Sequence, residues 1–161
     1  MRSFIDVHSK KPYPANALSN YFPHCFEMDG LEITCMEAFL QSTKCPDVAF
    51  QKVICQKMTA KEAKVVGATY NWQGNGILYW QGYQFSRYSM EYWQLLMRAY
   101  GKLCEVPAFQ RAMLRSGNTI LLHSVGRWSR KDTCLTTWEF LILLYWCRIV
   151  IRKNKKENDK C

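Results

Sequence analysis

Thr34-Cys35-Met36-Glu37-Ala38-Phe39-Leu40-Gln41-Ser42-Thr43-Lys44 is the stretch on which the reading of this chain turns. It begins as Ser/Thr-x-x-Glu, a pattern in which hydroxyl and carboxylate each satisfy a free backbone N–H at a helix start. A helix over about 35–44 follows, halted by Pro46. Within it Gln41 lies one turn and Lys44 two turns beyond Glu37, so the three share nearly one face. Glu37 then has two readings. It is the third residue of a cap and needs no other purpose, or it is a carboxylate turned toward a pocket.

The same cap recurs on either side. Thr59-Ala60-Lys61-Glu62 opens a helix over about 60–67 that stops near Gly67, and Thr136-Thr137-Trp138-Glu139 opens a long apolar C-terminal helix. Asp47–Lys57 reads as a further helix, with Val48, Ile54 and Cys55 at helical spacing. Residues 68–84 hold Gly74, Gly76 and Gly82 among aromatics, which predicts a hairpin or an irregular loop. Ser89–Leu103 is helical again, with Tyr92, Leu95, Leu96, Ala99 and Leu103 on one side. Pro107 and Gly117 bracket a short helix ending near Arg115, and Asn118–Val125 reads as a short strand. Residues 1–17, polar and carrying Pro12 and Pro14, form an extended segment or loop. Residues 153–161 read as a charged, frayed tail. The fold class expected is a compact, mainly helical α+β domain over residues 18–152 with a few short strands.

Composition narrows the function classes. A chain of 161 residues suits one domain with a real core. Its 48% apolar and 14% aromatic content excludes a disordered chain. The longest apolar stretch, Trp138–Ile151, includes Glu139 and Arg148 and falls short of the roughly 20 residues a membrane span needs, so it reads as a buried helix. The opening residues lack an apolar leader, which points to a cytoplasmic protein with no membrane partner. Eight cysteines without a Cys-x-x-Cys pair argue for buried thiols over zinc or disulfides, so no metal is expected. A formal charge of +9 suits polyanions such as nucleotide phosphates or nucleic acid, and serves solubility equally well. Neither common phosphate loop, GxGxxG or GxxxxGK[ST], is present.

Leu18-Ser19-Asn20-Tyr21-Phe22, the pair Asp29-Gly30 and the Thr34–Lys44 stretch together resemble the opening of the YbiA-like NADAR superfamily, the NAD- and ADP-ribose-associated proteins. Ala60-Lys61-Glu62-Ala63-Lys64 with Gly67 is similar to that family's Pro-x-Glu-Ala-Lys-x-x-Gly helix, and Leu96–Leu114 to its helix pair. Leu121-Leu122-His123-Ser124-Val125-Gly126 and Thr133-Cys134-Leu135-Thr136 depart from the main pattern and look like a second branch. The resemblance spans about residues 16–150.

What the resemblance implies is cleavage of an N-glycosidic bond in an ADP-ribose-containing or ribosylated nucleotide, without a metal or organic cofactor. Such cleavage builds positive charge on the ribose C1, and one carboxylate can stabilise that charge and take a proton from attacking water. Glu37 is the catalytic candidate. Gln41 is placed to orient ribose or water, and Lys44 to meet a phosphate or to sit as a surface lysine at a helix end. Ser19 and Asn20 are candidates for nucleotide contact, or simply turn formers. Trp80, Arg87 and Tyr88 are candidates for the base and phosphate end, through stacking and bidentate pairing, with a core role open for Trp80. His123 is a pocket acid or base, or a satisfied strand histidine. The implied partner is an ADP-ribose-like nucleotide, free or carried on ADP-ribosylated nucleic acid. The alternative is a binding protein that sequesters such a nucleotide uncut.

Overall fold

The computed structural model describes residues 3–159. Six helices carry the fold: α1 (Met36–Ser42), α2 (Val48–Lys57), α3 (Ala60–Gly67), α4 (Met90–Leu103), α5 (Pro107–Arg115) and α6 (Thr137–Asn158). Three short strand pairs stitch them together. β1 (Phe4–Asp6) runs parallel to β6 (Ile120–Leu122), so the first residues close onto a strand near the end of the chain. β2 (Phe26–Met28) and β3 (Leu31–Ile33) form a hairpin, as do β4 (Ile77–Trp80) and β5 (Tyr83–Ser86). Both hairpins turn through two residues of positive φ, Asp29-Gly30 and Gln81-Gly82, the conformation that matches the twist of paired strands. This is the mainly helical α+β architecture expected.

Helix α1 is the hub. All seven of its residues are buried. Met36, Phe39 and Leu40 join the main core with Tyr92, Leu96 and Tyr100 of α4 and Phe140, Leu143 and Leu144 of α6. Ala38 faces a smaller cluster with Cys35, Ile54, Ala60 and Ala63, made of small side chains that let α1, α2 and α3 approach closely. Gln51 locks the hub to the second hairpin. Its amide donates to the carbonyls of Ser42 (2.9 Å) and Tyr79 (3.0 Å), and its oxygen accepts the Gln81 N–H (2.8 Å).

Three local expectations are corrected. The Thr34–Glu37 cap does not form: the Thr34 hydroxyl donates to the Met58 carbonyl (2.7 Å), and the Cys35 sulfur accepts the Ala38 N–H instead (3.4 Å). Glu37 is thereby released from capping, whereas Thr59–Glu62 and Thr136–Glu139 form complete reciprocal caps. The charged segment after residue 152 is not frayed at once but continues α6 to Asn158, which leaves the end of the tail outside the described residues. Helix α6 is also not wholly buried, since Trp138, Ile142, Tyr145 and Ile149 face outward. Of the seven described thiols six are buried and Cys25 is exposed.

Candidate functional site

A cavity of about 620 Å3 opens beside α1, within the range of small-molecule sites. Its floor is the polar row of α1 together with Lys44, in the turn just past the helix end. The Gln41 amide donates to the Glu37 carboxylate (2.8 Å), and the Lys44 ammonium donates to the Gln41 carbonyl oxygen (2.6 Å). Glu37, Gln41 and Lys44 thus form one hydrogen-bonded relay. The Glu37 N–H donates to the Asn20 carbonyl (2.9 Å), which holds the Ser19–Tyr21 turn against the start of α1. The Asn20 side-chain oxygen accepts the buried Tyr100 hydroxyl (2.7 Å), so its amide is fixed at the cavity edge. The Ser19 hydroxyl oxygen accepts the Tyr21 N–H (3.3 Å), the turn that such a serine favours.

Electrostatics set Glu37 apart. Burial pushes its carboxyl above the ordinary range, opposed by the Gln41 hydrogen bond and by Lys64, Lys44 and His123. The result is a buried carboxylate that gains basicity while cations stand near it. Lys64 of α3 lies over the Tyr21 ring, 5.3 Å from its centre. Burial lowers the affinity of Lys64 for its proton, but Tyr21 and Glu37 outweigh it and hold the ammonium above its usual value. Lys10 and Arg127 also line the cavity, so cations outnumber its carboxylates, Glu37 and Asp132. Such a wall favours an anionic ligand.

Two glycines make room. A Cβ on Gly67 would stand 2.0 Å from the Gln41 side-chain oxygen, and one on Gly126 would stand 2.0 Å from the Thr137 hydroxyl and 2.5 Å from the His123 ring. The Thr137 hydroxyl is buried without a protein partner on the cavity wall, an unspent hydrogen-bonding group. His123 lies at the cavity with Nδ1 on the Val7 carbonyl (2.8 Å) and its ring edge-on to Phe140. That contact anchors one ring nitrogen to the β1 segment.

Ser19, Asn20, Glu37, Gln41, Lys44 and His123 therefore come together at one cavity. Trp80, Arg87 and Tyr88 do not. Trp80 is a core residue whose indole N–H donates to the Asp29 carboxylate (2.8 Å), with its ring edge-on to Phe39. Arg87 is 2% exposed and grips Glu139 through both terminal nitrogens (3.1 and 2.5 Å) while its Nε donates to the Thr133 carbonyl. Each of its three guanidinium nitrogens is bonded within the protein. Tyr88 stands exposed on the turn after β5, against Gly76, and is not among the residues lining the cavity. Lys64, Tyr21, Lys10, Arg127 and Thr137 were not singled out by sequence reasoning. Tyr21 and Lys64 do sit inside the two blocks that carry the family resemblance, next to Ser19-Asn20 and three residues before Gly67. A second hollow, about 550 Å3 and more open, lies between Cys25–Asp29 and Lys102–Pro107. Lys102 there pairs with Glu105 and Asp29 with Arg98, which among the described residues leaves Glu27 as the unpaired charge of its lining and no free cation for an anionic ligand.

Comparison with known proteins bears on the family and the fold. Residues 12–149 match the family described as Bacteriophage protein GP30.3. A protein of Enterobacteria phage T4, named the uncharacterized 17.1 kDa protein in the Gp30-rIII intergenic region, is 34% identical over 145 residues, covering 88% of this chain and 95% of the relative. The solution structure of the E. coli protein YbiA superposes with a TM-score of 0.68 over 98% of this chain and 89% of that one, at 14% identity. The likeness at that identity is one of fold: this chain has a YbiA-like fold. By the extent of the family match, this chain belongs to the bacteriophage GP30.3 family.

Proposed function

We propose that the cavity binds an ADP-ribose-type nucleotide and hydrolyses the N-glycosidic bond at its ribose C1. The observation that carries this is the buried Glu37 carboxylate, held by Gln41 and flanked by Lys44 and Lys64 on the wall of a nucleotide-sized cavity. The lysines and Arg127 suit the pyrophosphate. As the C1–N bond breaks, its electron pair leaves with the nitrogen, which takes up a proton from solvent, balanced by the proton that the attacking water loses to Glu37 and Glu37 then returns to solvent. Positive charge gathers on C1 and the ring oxygen, where Glu37 offers the opposite charge without reorganising. Water adds to C1 and gives a proton to the carboxylate, whose raised affinity for protons brings it nearer the working range of a general base.

A second reading rests on one feature of the lining. Sugar glycosidases commonly pair two carboxyl groups across the bond, and among the described residues only Glu37 is both a buried carboxylate and at the cavity. The same architecture suits a protein that captures the nucleotide uncut. Mass spectrometry of products separates the two readings, after wild type and Glu37→Gln are incubated with NAD, ADP-ribosyl nucleotides and DNA ADP-ribosylated on guanine. Release of ADP-ribose by wild type alone supports hydrolysis. Retention of intact nucleotide by both proteins removes hydrolysis and leaves capture.

A further inference from the structure

Helix α6 is apolar on two opposite sides. Its inner side, with Phe140, Leu143, Leu144 and Cys147, fills the core. Its outer side carries Trp138, Ile142, Tyr145 and Ile149, exposed by 61%, 54%, 37% and 67%. Their spacing alternates four, three and four residues, the repeat of about 3.5 by which one helix lies along another. Arg152 and Lys156 continue the row and end it with charge. The Trp128 ring, equally exposed, leans edge-on against Trp138 at 5.5 Å. The Tyr145 hydroxyl accepts the Leu121 N–H (2.9 Å) and ties the row to β6. There Ile120 and Leu122 point outward, with Phe4 of β1 in register opposite Ile120.

These side chains expose on the order of 800 Å2, about what each partner contributes to a standard interface and above the roughly 300–600 Å2 of the largest apolar patch on a typical monomer. We propose that this face is a homodimer interface, on which a second copy of the chain sits with the two α6 helices antiparallel about a two-fold axis between Ile142 and Tyr145. A two-fold makes one patch serve both copies. Charge selects the antiparallel sense. A parallel pair would set Lys153, Lys155 and Lys156 of both copies side by side, whereas the antiparallel pair separates them and opposes the helix dipoles favourably. Trp138 then faces Ile149 of the second copy, and the basic end of the second helix reaches the Trp128 ring as a cation–π partner. The flanks remain net positive, so salt tightens the dimer by screening. A nucleic acid lying on the same surface would respond in the opposite sense. The proposal stands apart from the chemistry of the cavity.

Sedimentation equilibrium of the full chain tests it, over about 1–100 μM and from low to high salt. The wild type is expected to dimerise, more tightly at higher salt. Ile142→Glu, at the centre, is expected to weaken association by at least roughly 30-fold, the scale of an interface hot spot. Its helix is retained because the position is exposed. Ile149→Glu provides a second, peripheral variant whose melting point and circular dichroism report an intact fold. A wild type that stays monomeric, a dimer unmoved by both variants, or a dimer loosened by salt overturns the proposal.

Discussion

Gly67→Ala probes the floor of the cavity from behind. Gly67 ends α3 with ordinary helical backbone, so alanine there carries no conformational penalty and would by propensity gain up to about 1 kcal/mol. Its new methyl, however, would lie 2.0 Å from the Gln41 side-chain oxygen and 2.9 Å from the carbon bearing it. Gln41 must swing away, and with it go the hydrogen bonds to Glu37 (2.8 Å) and from Lys44 (2.6 Å). Bonds to charged partners contribute about 1.5–3 kcal/mol each, and water in the cavity recovers part of that. The net expectation is a loss of about 1–3 kcal/mol, read as a fall of roughly 3–8 °C in melting temperature for a domain of this size. A second readout follows from the charge. Burial raises the Glu37 carboxyl and Gln41 opposes that rise, so losing Gln41 lifts the carboxyl further. Carbon-13 detection of the Glu37 carboxyl during titration measures it directly. A variant that melts higher than wild type, with Glu37 titrating as before, would refute the relay.

Other outcomes follow from the same contacts. Glu37→Gln is expected to melt higher than wild type at pH 7–8, because a carboxyl raised above its unfolded value of 4.5 costs stability wherever it is ionised in the fold. The gain should shrink as pH falls from the folded value toward 4.5 and vanish below it; calorimetry across pH checks this. Arg87→Ala should cost about 3–5 kcal/mol by stranding Glu139, while leaving the nucleotide affinity of any folded fraction unchanged; a selective loss of affinity would return Arg87 to the site. Lys44→Met should weaken binding of ADP-ribose by roughly 10-fold or more in calorimetric titration, since a charge-assisted contact contributes about 1.5–3 kcal/mol; equal affinity would remove Lys44 from the phosphate.

The helices were legible because their signals are local. Proline and glycine brackets set α5, and the cap at Thr59–Glu62 set α3. Part of the floor was legible for the same reason, since one helix turn carries Gln41 onto the face of Glu37, whereas Lys44 lies in the turn just past the end of α1 and joins them through its bond to Gln41. The first cap failed because its decision is tertiary. Thr34 is drawn to a carbonyl 24 residues away, and a cysteine replaces it. Arg87 and Trp80 turn on distant residues likewise: Glu139 claims Arg87 from 52 residues away, and Asp29, 51 residues away, takes the Trp80 indole in the core role left open for it. A buried ion pair and a phosphate contact ask for the same side chain, and only the fold says which one claims it. Lys64, Lys10 and Arg127 come from three separate segments whose meeting no local pattern announces. The outer row of α6 was visible as apolar residues, but the side of the helix the core would leave uncovered was not.

The central claim, that Glu37 faces the scissile ribose carbon, is tested most directly by a crystal structure of Glu37→Gln with an uncleaved ADP-ribosyl nucleotide. The account requires the ribose C1 within roughly 3–4 Å of the residue 37 amide or of one water it holds, with the pyrophosphate toward Lys44 and Lys64. A nucleotide bound elsewhere, or seated in the cavity with its C1 turned away from residue 37, would contradict it.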